Sequence, residues 1–268
     1  MQNTVVGSIG RLGNHIIRCL AVSLIAKKHD LSVDYGSSYL IESLGIKLFK
    51  GKNKYKKTKK LTDDNYFSIL NNDTLTQNLD PNGDIFFQTK EITNLLYNHL
   101  HSDEVVENIM KRNQFTSRYL NNNDLFIHVR LGDSAHYNPG LDYYLKAISG
   151  IKYDKLYIST DDKQHPIISQ IARNYPNETH LLMYDEVSTI HFASTCKHVI
   201  LSHGSFSAVI GYLAFFSDVY YPEYEQGKIW YGDMFSIDDW NKISDYRDKR
   251  SVKYETNFGE MNQSYLYI

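Results

Sequence analysis

The chain has 268 residues, of which 42% are hydrophobic and 22% charged, with a formal net charge of -2. That length buries either one large core or two moderate ones, and that composition excludes a disordered or membrane-embedded chain. The charge balance argues against nucleic acid as the main partner, and Cys19 and Cys196, the only cysteines, exclude a disulfide framework or a zinc site of Cys/His spacing.

The apolar runs at 20–26 and 209–216 are too short to span a bilayer, and the N-terminus lacks the basic start and apolar core of a signal segment. The reading is therefore a cytoplasmic enzyme with no membrane span, in which the sequons at Asn72, Asn177 and Asn262 are chance matches. The 22 tyrosines suit a sugar-facing cleft as well as cores and interfaces.

Along the chain, residues 3–6 read as a short buried strand that runs into a glycine-rich turn, Gly7 to Gly13. Ile16, Ile17, Leu20, Ala21, Leu24 and Ile25 then recur at helical spacing, and 31–35 forms the next strand. Strand, glycine turn, helix and strand make one α/β unit. Eight lysines between Lys47 and Lys60 read as a solvated loop, although such a run can also grip a polyanion. The Asn- and Asp-rich stretch 62–83 reads as loops with minor structure, and 121–124 marks the domain boundary.

From residue 125 the pattern becomes regular. Strands are expected at 125–129, 155–159, 180–183, 198–201 and 219–221, and helices at 141–148, from Pro166, and at 205–216. Repeated βα alternation gives a parallel sheet with helices on both faces, and ligands bind beyond the carboxyl ends of its strands.

Three segments follow such ends. Gly10-Arg-Leu-Gly-Asn14 opens the first helix, where glycines let backbone N–H groups approach an anion. It fits neither a P-loop nor Gly-x-Gly-x-x-Gly, and a structural turn accounts for it equally. In His128-Val-Arg-Leu-Gly-Asp133, alternation puts His128 and Arg130 on one face. A diphosphate suits that arginine through bidentate bonds, as does an ion pair with Asp133. Ser202-His-Gly-Ser-Phe-Ser207, between a strand and a helix, offers small hydroxyls and free helix N–H groups, a phosphate cradle or a serine N-cap.

The first of these segments resembles the Gly-x-Leu-Gly-Asn signature of α-1,2-fucosyltransferases and the similar turn of protein O-fucosyltransferases. His128 to Asp133 resembles the His-x-Arg-Arg-x-Asp motif of the α-1,2-, α-1,6- and O-fucosyltransferase group. Tyr157-Ile-Ser-Thr-Asp-Asp162 and Cys196 to Ser207 are similar to its second and third motifs, so four motifs occur in the group's order over about half the chain. The resemblance implies an α/β, GT-B-like fold of two Rossmann-type domains facing a cleft. The N-terminal domain, 1–122, would take the acceptor side, and the C-terminal domain, 123–268, would bind the nucleotide sugar.

It further implies an inverting, metal-independent glycosyltransferase that needs no cofactor and moves a sugar from a nucleotide-diphosphate donor to a glycan hydroxyl. Fucose from a GDP-sugar is favoured; a UDP-sugar, and xylose or rhamnose, stay open. Donor contacts fall on Gly13, Asn14, His128, Arg130, Asp162, Ser205, Phe206 and Ser207. Arg130 neutralises the leaving diphosphate, consistent with the absence of any Asp-x-Asp sequence. His15, Asp133 and His136 are candidates for proton transfer. Leu131 stands where much of the group has a second arginine, and Ala208 and Val209 where α-1,2 enzymes often have tryptophans. Competing readings are a non-catalytic sugar-nucleotide or glycan-binding protein, a serine hydrolase built on Ser205 and a histidine, and nucleic-acid binding by the lysine stretch.

Overall fold

The computed structural model describes residues 3–176, 179–223 and 233–246. Sequons Asn177 and Asn262 lie outside them. The N-terminal half begins with β1 (Thr4–Val6), α1 (Leu12–His29), β2 (Val33–Tyr35) and α2 (Ser38–Ser43). It continues with β3 (Thr58–Lys60), α3 (Tyr66–Leu70), β4 (Asn78–Asp80), α4 (Lys90–Leu100) and α5 (Asp103–Arg112). The second half runs β5 (Leu125–Val129), α6 (Leu141–Ser149), β6 (Leu156–Thr160), α7 (Pro166–Asn174) and β7 (Thr179–Leu181). It ends with α8 (Glu186–Ala193), β8 (His198–Ile200), α9 (Ser205–Tyr212), β9 (Asp218–Pro222) and β10 (Asn241–Ile243).

Strands β5 to β10 form one six-stranded sheet, every pairing parallel, in the order β10-β9-β8-β5-β6-β7. The chain enters at the middle with β5, runs out to β7, then crosses back to build the other half from β8. This is the doubly wound order, and its reversal point lies between β5 and β8. Period-two alternation sorts the two faces. Leu125, Ile127 and Val129 pack with Tyr143, Tyr144, Ile148, Ile168 and Ile171 of α6 and α7. Phe126 and Val199 belong to the opposite face, with Ile190 and Phe192 of α8 and Ala208, Val209 and Ile210 of α9.

In the first half β1 pairs parallel with β2, and β3 with β4. Thr4 Oγ1 ties the two pairs by accepting the Leu79 N–H at 2.9 Å. Helix α1 is buried nearly all round, from Gly13 to Ala26, because it has packing partners on both sides. One continuous apolar cluster runs from Val6 through α1 and α4 to α9, Phe235 and Trp240.

The lysine stretch read as a loop is more structured than expected, while 62–83 holds the minor structure expected of it. Residues 58–60 form β3, and 62–83 holds α3 and β4. Their local sequences are polar and aperiodic; Asn78, 1% exposed, supplies what periodicity does not, bonding both N–H and C=O of Tyr55 across the chain. The last major helix stops at Tyr212 rather than at 216. The loop beyond it turns Phe215 against His101, at a ring separation of 5.0 Å.

Candidate functional site

The reversal point of the sheet is where the second and third segments meet. Arg130 follows β5 directly and Ser202 to Ser207 follows β8, so both line the ligand edge. Arg130, 13% exposed in its side chain, sits in a four-charge cluster. It ion-pairs with Asp133 and, just beyond β6, with Asp161. Arg11 reaches the same two carboxylates from the glycine turn of the other half, 3.4 Å from Asp133 and 3.2 Å from Asp161. Asp161 also accepts the Leu131 N–H at 2.8 Å, which fixes it to the turn after β5. Burial, and then the Arg11 charge, draw the Arg130 guanidinium below its ordinary value, while Asp133 pulls it up.

The Arg130 backbone is held as firmly. Asn138, 2% exposed, donates to the Arg130 carbonyl at 2.8 Å and to the Tyr144 hydroxyl at 2.9 Å. Tyr144 reaches the Ser202 hydroxyl at 2.8 Å, so a buried polar chain joins the ends of β5 and β8. Such networks rigidify when every member is satisfied.

Helix α9 starts without a side-chain cap. Gly204, at φ 86° and ψ 163°, occupies the cap position, a backbone region that only glycine enters readily. The serine N-cap allowed by the sequence is therefore not the one used. The first helical bond runs from the Ala208 N–H to Gly204 at 3.1 Å, so the N–H groups of Ser205, Phe206 and Ser207 precede it. Open space lies beside Gly204, where an added Cβ would meet nothing within 4 Å.

Helix α1 also starts uncapped, at Arg11, and neither helix carries an acid in its first turn. The two N-termini touch. A Cβ on Gly13 would lie 2.5 Å from the Ser205 carbonyl carbon and 2.6 Å from Phe206 Cα. Only a glycine permits this approach, which sets two positive helix ends side by side next to two arginines. A buried arginine steadies the turn above them. Arg18, 0% exposed, donates to Gly7 O and Pro81 O, both at 2.9 Å.

The remaining expected residues fall in distinct places. His128 is 4% exposed; burial, and then Arg130, lower its pKa to about 3. Its Nδ1 lies 3.1 Å from Ser207 Oγ, which accepts the Ser202 N–H at 2.7 Å. The Ser207 proton is thus left to donate to a neutral imidazole. Asn14 accepts from Gln88 at 2.8 Å. His15 is buried, hydrogen-bonded to the Gly36 backbone and 3.7 Å from Cys19 Sγ, and burial first, then Arg18, lowers its pKa. Asp162 caps its own turn, its Oδ1 accepting the Gln164 N–H at 3.1 Å, while its neighbour Asp161 faces the arginines. His136 is exposed, its ring centroid 3.9 Å from that of Tyr137.

Sequence reasoning missed Asp161, Arg11 and Asn138. Arg11 and Asp161 were visible inside quoted motifs, but only the fold shows that they converge. His203, in the turn before α9, bonds Ser134 at 3.2 Å and lies 3.4 Å from Ser202, and no hydrogen bond joins it to Ser205 among the described residues.

No protein-family model and no curated protein matches the chain. Among solved structures it is similar to an Arabidopsis thaliana FUT1 mutant in complex with GDP, at 11% identity and a TM-score of 0.45, over 84% of this chain and 71% of that one. It is also similar to POFUT1 in complex with GDP, at 12% identity and a TM-score of 0.42, over 76% of this chain and 92% of the other. For POFUT1 in complex with GDP-fucose the values are 10% and 0.40, over 76% and 91%.

Proposed function

We propose that this chain is a glycosyltransferase that moves a sugar, fucose in the favoured case, from a nucleotide-diphosphate donor to a glycan hydroxyl. One observation carries the reading: two uncapped helix N-termini, in contact at Gly13 and Phe206, lie at the reversal point of a doubly wound sheet beside Arg130 and Arg11. A diphosphate is the anion that matches two helix ends and two guanidinium groups at once. The four sequence motifs point the same way.

In this reading 1–122 and 123–268 act as the acceptor and donor domains of a GT-B-like pair, with the donor between them. Asp133 and Asp161 hold the arginines in place until the donor's diphosphate competes for them. Negative charge then builds on the leaving group as the anomeric bond breaks, and Arg130 and the Ser205 and Phe206 N–H groups meet it. Ser207 and His128 act from behind, fixing the α9 turn. The acceptor oxygen bonds to the anomeric carbon from the opposite side, with inversion, and its proton goes to a nearby base. Asp133, 64% exposed, is better placed for that than His15, which is turned to Gly36. No metal is required, because the arginines supply the positive charge.

A thermal-shift screen against GDP, GDP-fucose, UDP and UDP-sugars tests this directly, since a ligand at 100 times its Kd adds about 2.7 kcal/mol of stability. A rise with the GDP series, and donor turnover that persists in excess EDTA, are expected. No shift with any nucleotide sugar refutes the reading, and activity restored only by manganese refutes the arginine scheme.

A further inference from the structure

The lysine-rich segment 47–60 is left unused by the donor site, and it is not the loose loop its composition suggests. Its backbone is pinned along its length. Phe49 N–H donates to Ser23 Oγ at 2.8 Å, and Phe49 O accepts from the Tyr35 hydroxyl at 2.9 Å. The N–H groups of Lys52 and Asn53 reach Asp30 O at 2.9 and 2.7 Å, and Ser32 N–H returns to Asn53 O at 2.9 Å. Residues 58–60 then pair with β4. Leu48, Phe49 and Tyr55 turn inward against the core.

The lysines between these anchors point outward. Lys47, Lys50, Lys52, Lys54, Lys56, Lys57, Lys59 and Lys60 are all exposed. Among the described residues only Lys50, with Glu42, and Lys60, with Asp80, form ion pairs. The segment carries eight positive and no negative charges, so with -2 for the whole chain the rest sums to -10. One ordered edge thus holds a concentrated positive field on an otherwise acidic protein.

We propose that this edge docks the protein on a membrane surface rich in anionic phospholipid. Three features favour a bilayer over a nucleic acid. The segment has no arginine, so it lacks the fork that reads phosphates and bases bidentately. Its aromatic rings face the core and offer no stacking platform for bases. An exposed tyrosine borders it: Tyr39, 65% exposed, lies one turn from Glu42 on α2, and Glu42 meets Lys50 at 3.5 Å. Lysines with a neighbouring tyrosine suit a headgroup layer, where smeared charge and an amphipathic ring suffice. Lysines that merely protect a strand edge from pairing would bind nothing.

The test is co-sedimentation of the full chain with vesicles of phosphatidylcholine, alone or with about 30 mol % phosphatidylserine, in low and high salt. Binding that needs phosphatidylserine and is lost in high salt is expected. The combined Lys52→Gln, Lys54→Gln, Lys56→Gln, Lys57→Gln variant should bind about 100-fold more weakly or worse, at an unchanged melting temperature. Equal binding to both vesicles, no binding to either, or an unaffected quadruple variant overturns the proposal. So does a homopolymeric RNA that displaces the vesicles at equal phosphate. Vesicle binding is read without donor or acceptor, so its outcome is separate from that of the donor screen.

Discussion

Replacing Gly13 by alanine perturbs the contact on which the donor site rests. The new Cβ would stand 2.5 Å from the Ser205 carbonyl carbon and 2.6 Å from Phe206 Cα, where ordinary contact begins at 3.4 Å. Both neighbours are backbone atoms, so no side chain can rotate away, and the helix ends must separate by nearly 1 Å. Overpacking of this kind costs about 1–3 kcal/mol, equivalent to a fall in Tm of roughly 2–12 °C for a chain of this size. A misplacement of about 1 Å in a binding constellation costs on the order of 100-fold in turnover. Differential scanning fluorimetry, GDP affinity by calorimetry and donor turnover measured on one preparation read all three effects. A Gly13→Ala protein with unchanged Tm and GDP affinity within twofold of the parent would show that the helix ends do not meet as described.

Arg130→Lys keeps a charge but loses the fork, so turnover should fall about 100-fold or more for Lys as well as Ala; near-normal turnover in a folded Lys variant removes Arg130 from the mechanism. Ser205 and Ser207 should separate in their effects. Ser205→Ala keeps its N–H but removes a hydroxyl from the first turn of α9 beside the proposed diphosphate site, and weakens donor affinity at constant Tm, whereas Ser207→Ala, which strips the partners of Ser202 N–H and His128, lowers Tm by denaturation assay. His128 titrates at about 3 when folded and near its ordinary 6.5 when unfolded. The unfolded chain therefore binds the extra proton between those values, so stability is full above about 6.5 and falls as pH drops, by up to about 1.4 kcal/mol per pH unit. Urea melts from pH 7.5 to 4.5 should show that slope reduced in His128→Asn; an identical slope would place His128 in solvent.

Much of the fold was legible locally. The short apolar runs at 125–129 and 198–201 and the helically spaced run after Gly13 each encode their own element, because a strand covered on both faces reads as a continuous apolar stretch and a helix repeats its buried positions at its own period. Helices α2, α4, α5 and α8 and strand β10 went unassigned, and β3 and β4 are held by Asn78 and by pairing with each other rather than by any pattern of their own.

The candidate site divides along the same line. From the sequence alone came Arg130 at a strand end, a glycine turn opening α1, and small residues opening α9, since each is a local arrangement of a few neighbours. Strand order was beyond it: that β5 and β8 are adjacent, and so bring Arg130 and Ser205 to one edge, follows from a crossover spanning more than sixty residues. The same holds for Arg11, 150 residues from Asp161 and bonded to it, and for Gly13, whose missing side chain matters only because another helix arrives there. Spacing along a chain fixes which groups share a face of one element; which faces meet is decided by packing all elements into one volume.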